Sequence, residues 1–155
     1  MSDPAAPKVS FVHDDARPYV DVKSQRQGDR RASVWLKMLD LQPDRAFFHT
    51  RYDPGLVLQR HGHLSDHYVF VIAGKVFFDG EECRAGSLVK LPLGATFGPI
   101  VAGDEGAETI EVYFGDSRPV PAALDEWEAI KRERGITELP NPALDVPEWF
   151  GERTD

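Results

Sequence analysis

At 155 residues the chain has room for one domain with a core of its own, and it is too short for a (β/α)8 barrel. Its net charge of −8 argues against nucleic acid or an anionic membrane as a partner, since both repel an acidic surface. The lone cysteine, Cys83, excludes an internal disulfide, no apolar run is long enough to span a bilayer, and residues 1–8 (MSDPAAPK) lack the apolar centre of a signal peptide, so a cytoplasmic protein is expected.

Residues 1–32 are polar and keep no sustained period. They predict an arm lying on the body of the protein or on a partner subunit, with one strand near residues 19–23. The β core is expected over residues 33–117. It opens with SVWLKML (33–39) and AFFHTRY (46–52), and continues, after the Asp53-Pro54 turn signal, into GLVLQRHGHLSDHYVFVIAG (55–74). VFFDGEEC (76–83) carries Asp79-Gly80, a dipeptide suited to the tight turn of a hairpin. LVKL (88–91) and TIEVYF (109–114) supply further strands. Beyond the Pro119 and Pro121 break, residues 125–134 read as a short helix with Trp127 and Ile130 on one face. The tail, with Pro140, Pro142 and Pro147, is expected to lie extended over the surface. The whole chain, 1–155, is thus read as a single all-β domain, with a C-terminal helix and tail over 118–155.

Three of the five histidines, His61, His63 and His67, fall within residues 61–67. Their shared parity on a strand projects His61 and His63 to one face. A helix would not bring positions two apart together, and Gly62 would weaken it. Neutral imidazoles are common ligands of transition metals, and three of them leave a coordination position open for water or substrate. The same parity turns Gln59 toward a metal-bound ligand, or, if the register is reversed, out to solvent.

The spacing G-x5-H-x-H-x3-H-x6-G over residues 55–74 resembles the first motif of the cupins, with His67 where an acidic residue usually stands. GSLVKLPLGATF (86–97) resembles the second cupin motif, G-x5-P-x-G-x2-H, with Phe97 in place of the histidine. The resemblance implies a double-stranded β-helix of the RmlC-like jelly-roll type. It also implies one divalent transition metal, with iron or zinc favoured and nickel or manganese possible for such donors. His61, His63 and His67 would be the ligands, Phe97 would shape an apolar pocket beside them, and the protein would be a homodimer.

Residues 109–114 alternate Thr109, Glu111, Tyr113 against Ile110, Val112, Phe114. The ordinary expectation for a half-buried strand turns the polar set outward. Turned inward, Glu111 becomes the candidate general base and Tyr113 a proton donor. His49 is a further candidate for substrate contact or fourth ligand, and Asp66 either supports its neighbour His67 or is an exposed loop acid. Three functions stay open: a metal-dependent enzyme on an enolisable ketone or aromatic substrate, a non-catalytic metal- and ligand-binding cupin, and a protein whose metal only stiffens the barrel. The resemblance to three-histidine dioxygenases favours an oxidoreductase over a zinc-dependent cyclase, isomerase or lyase.

Overall fold

Along HYVFVIAG the side chains alternate between the interior and the outside, with Val69 and Val71 fully buried and Tyr68 and Phe70 about two-fifths exposed. That two-residue period is what a sheet with one packed face requires. The computed structural model describes residues 6–151. Its strands are β1 (Val20–Gln27), β2 (Arg30–Gln42), β3 (Arg45–Tyr52), β4 (Val57–Leu58), β5 (His61–Leu64), β6 (His67–Phe78), β7 (Glu81–Arg84), β8 (Leu88–Leu91), β9 (Thr96–Phe97), β10 (Ile100–Tyr113), β11 (Asp116–Pro121) and β12 (Ile136–Glu138). Helix α1 (Leu124–Arg134) follows β11, and a single turn, α2 (Glu148–Gly151), lies near the C-terminus.

The larger sheet runs β12-β1-β2-β3-β10-β6-β7, with β4 and β8 joined to β10 and β6. The smaller sheet runs β11-β5-β9. All pairings are antiparallel, and the core lies between the sheets, where Val34, Tyr52, Val69, Val71, Phe78, Phe97 and Ile100 pack together. Each fully buried valine there contributes roughly 1.5–3 kcal/mol relative to exposure. This is the jelly-roll barrel that the two motifs imply.

The sheet begins earlier than residue 33. Residues 20–32, expected within an arm, form β1 and the first turn of the β1–β2 hairpin, closed by Gly28 at φ 62°. No apolar alternation marks this strand, because its buried residues, Ser24 and Gln25, are adjacent and polar. Gln25, 2% exposed, donates from Nε2 to the Val57 carbonyl at 2.7 Å and accepts from the Val57 N–H at 3.0 Å, and so substitutes for backbone pairing. Ser24 is likewise buried against Ser33 and Asp21.

Strand β6 also runs through Gly74, where the sequence suggested an end. Gly74 has φ 70°, and a Cβ there would collide with the Gly106 carbonyl, so the strands kink and skip register at this crossing without parting. The Asp79-Gly80 turn forms as expected, with both residues at positive φ. Helix α1 buries Trp127 against Val57 and Ile136, has Asp125 and Glu126 in its first turn and basic residues in its last, and ends at left-handed Gly135. Among the described residues no helix is long and apolar enough to cross a membrane.

Candidate functional site

Four strands meet at the histidines. His61 lies opposite Phe97 of β9, His63 opposite Pro119 of β11, and His67 opposite Tyr113 of β10 and Leu91 of β8. Gly62 permits the close approach of β5 to β9, since a Cβ on it would sit 2.6 Å from the Ala95 carbonyl oxygen. The rings of His61 and His63 are 5.2 Å apart and those of His63 and His67 4.9 Å, both edge to face. His67 stacks on Tyr113 at 3.9 Å with an interplanar angle of 16°, and Phe97 covers His61 at 4.6 Å.

Backbone carbonyls set the tautomers of two imidazoles. His61 Nδ1 is 3.0 Å from the Gln59 oxygen and His63 Nδ1 is 3.2 Å from the Arg118 oxygen. A carbonyl only accepts, so each Nδ1 carries the proton and each Nε2 presents a lone pair. His67, 1% exposed, has no hydrogen bond at either ring nitrogen among the described residues. Burial, reinforced by His63 and His61, pushes its pKa down to about 2, and burial also lowers that of His61. Both are therefore neutral at pH 7.

Thr109, Glu111 and Tyr113 point inward, against the ordinary expectation for that strand, and are all buried. Glu111 accepts from the Thr50 hydroxyl at 2.7 Å and from the Tyr52 hydroxyl at 3.4 Å, and Oε1 lies 3.7 Å from His67 Nε2. With His67 neutral, that approach is a polar contact and not an ion pair. Burial raises the Glu111 pKa, partly opposed by the two hydroxyls, and burial also holds the Tyr113 phenol well above its ordinary value. A carboxyl group, absent from the first motif, is thus carried to His67 by β10.

The site opens on a cavity of about 450 Å³ walled by His61, His63, Gln59, Phe97, Glu111 and Tyr113 among others. Such a volume falls in the range of small-molecule sites, and its mostly apolar wall with a few converging polar groups is their usual chemistry. His67 lies behind this wall, covered by Tyr113 and His63. Among the described residues no group of three or more His, Cys, Asp or Glu side chains is arranged, as it stands, to hold a metal ion. The donor chemistry nonetheless fits a divalent metal: two imidazoles with Nε2 lone pairs, a third with both nitrogens unbonded, and a carboxyl in reach.

His49 does not wall the cavity. It lies on the opposite face of β3 from Phe48 and Thr50, where Nδ1 meets Asp14 Oδ1 at 2.7 Å and Nε2 meets the Tyr19 hydroxyl at 3.1 Å. There it ties the N-terminal segment to the sheet. Asp66 is exposed and accepts from the Leu93 N–H at 2.9 Å, which shapes the loop after β8 and leaves His67 unassisted. Sequence reading missed Thr50 and Tyr52, although their parity with Phe48 marked them as inward. It also missed the C-terminal residues Asn141, Pro142, Leu144 and Phe150, which wall the cavity and which no local pattern signals.

Two antiparallel sheets wrapped around a cavity with histidines on its inner strands define the cupin class of barrel. A sequence profile of the ChrR Cupin-like domain matches residues 11–117, and the chain belongs to that family. No curated protein matches it. Among solved structures it is similar to KdgF from Halomonas sp., at 22% identity and a TM-score of 0.55, over 77% of this chain and 99% of that one. It is similar to the "putative acetylacetone dioxygenase" of Methylibium petroleiphilum, at 15% identity and a TM-score of 0.61, over 83% and 98% of the two chains. A third likeness is to the polyketide cyclase RemF from Streptomyces resistomycificus, at 16% identity and a TM-score of 0.58, over 80% and 94%. At these identities the likeness is one of fold.

Proposed function

We propose that this cupin is a metal-dependent enzyme acting on a small enolisable ketone or aromatic substrate, with His61, His63 and His67 as metal ligands. The observation that carries this reading is the convergence of His61, His63 and Glu111 on the wall of one cavity, with Nδ1 of the two imidazoles turned to the Gln59 and Arg118 carbonyls and with Glu111 3.7 Å from His67. A divalent metal, iron or zinc before nickel or manganese, would supply Lewis acidity and, if iron, oxygen chemistry. Glu111 in its ionised form accepts a proton from the carbon next to a substrate carbonyl, and its raised pKa makes it a stronger base than an exposed carboxylate. The Tyr113 hydroxyl, held protonated, donates to the resulting oxygen. Phe97 keeps water from that side of the cavity and Gln59 orients the ligand's polar end.

A dioxygenase is the favoured reaction, in keeping with the fold shared with the Methylibium protein. Metal analysis of protein purified without added ions should find close to one metal per chain, and His61→Ala or His63→Ala should remove it. Acetylacetone under air should then drive oxygen uptake by the wild type and much less by Glu111→Gln. Metal-free wild-type protein would refute the ligand assignment. Metal with no oxygen uptake and no product would leave a binding cupin or a zinc-dependent cyclase, isomerase or lyase. Phe97 in the second-motif ligand position favours that second reading, because it removes one donor from the usual set.

The same reading includes a homodimer. Tyr68, Phe70 and Ile72 of β6 and Leu88 of β8 lie 39–53% exposed, and Phe70 is in register with both Ile110 and Leu88. They form a continuous apolar strip on the outside of the larger sheet, which a second copy would cover.

A further inference from the structure

The cavity is not closed by the barrel alone. Asn141, Pro142, Leu144 and Phe150, all beyond the strands, form its outer wall together with Pro119 and Pro121 of β11. Leu144 and Phe150 are each half-buried although neither belongs to the main core. Arg118 holds this segment in place. Its Nη1 donates to the Trp149 carbonyl at 2.9 Å, its guanidinium lies 5.9 Å from the Trp149 ring, and its Nε and Nη2 engage Asp116 at 3.0 and 2.7 Å. The carbonyl of the same residue accepts from His63 Nδ1. One residue therefore fixes both the outer wall and the tautomer of an imidazole on the inner wall.

We propose that residues 141–150 are the specificity-determining wall of the cavity, and that they select ligands by the size of the apolar body, favouring one large enough to reach the tail while a polar end meets His61 and His63. The inference rests on the cavity being the ligand site, but not on its holding a metal. Side chains from an extended tail pack on a ligand without taking part in chemistry, so their effect is on which molecules fit.

Phenol and 2-naphthol serve as probes that share a polar end and differ by one ring. Binding of each is measured by fluorescence titration on the full-length wild type, on Leu144→Ala/Phe150→Ala and on Leu144→Trp, with unfolding midpoints recorded alongside. The wild type should bind 2-naphthol more tightly than phenol. The double alanine variant should lose roughly tenfold or more in 2-naphthol affinity and about twofold or less in phenol affinity, because only the larger probe reaches the tail. Leu144→Trp should exclude 2-naphthol while retaining phenol. Equal changes for both probes, no change for either, or a wild type that binds neither would overturn the proposal. The metal reading is judged separately, by the metal content of the same preparations.

Discussion

Replacing His67 by phenylalanine tests whether this imidazole is held neutral in the folded protein. Phenylalanine keeps a flat ring stacked on Tyr113 and removes the titration. In the wild type, burial and the two neighbouring histidines hold His67 down to about 2, against 6.5 for a free imidazole. Between those values the unfolded chain binds a proton that the folded protein does not, so stability is full above pH 6.5 and falls as the pH drops below it. At pH 4.5, two units below the unfolded value and still above the folded one, the loss from this residue is on the order of 3 kcal/mol, taking about 1.4 kcal/mol per unit. Urea unfolding of both proteins at pH 7 and pH 4.5, with chelator present to remove competing metal, measures it. The drop in unfolding free energy between the two pH values should be smaller in His67→Phe by about that amount. An equal drop in the two proteins would refute the neutral, buried assignment of His67.

Gly62→Ala should lower stability by about 1–3 kcal/mol, because its Cβ would press on the Ala95 carbonyl and separate β5 from β9; an unchanged urea midpoint would contradict that packing. Phe97→His supplies the second-motif imidazole, 4.6 Å between rings from His61 in the parent, and should tighten metal retention on dialysis by roughly tenfold while slowing turnover. Phe70→Glu places a charge in the apolar strip of β6 and should convert a dimer to a 17.4 kDa monomer in light scattering.

Much of the fold was legible because it is written in short-range signals. The period-two burial of HYVFVIAG, the Asp79-Gly80 turn, the helix after Pro121 and the two motifs each follow from residues close together in the chain. The strands that were missed or only partly read have two physical causes. In β1, Ser24 and Gln25 are buried by hydrogen bonds to Asp21, Ser33 and Val57, so no apolar alternation marks them. β11 and β12 are short edge strands paired to β5 and β1, partners distant in the chain that no local pattern announces.

The site divides in the same way. Sequence by itself placed His61 and His63 on one face, since strand geometry leaves adjacent odd positions no other choice, and the motif pattern identified the barrel around them. Whether Glu111 faced inward could not follow from its own strand, where both faces carry plausible residues. The pairing of β10 between β3 and β6 decided it, by aligning Glu111 with the inward face on which Thr50, Tyr52 and His67 stand. The same pairing sent His49 to the far side of the sheet. The outer wall of the cavity came from still farther away, through a tail tied to β11 by Arg118. Contacts of that kind depend on where separate strands and loops end in space, and only the assembled tertiary structure fixes those positions.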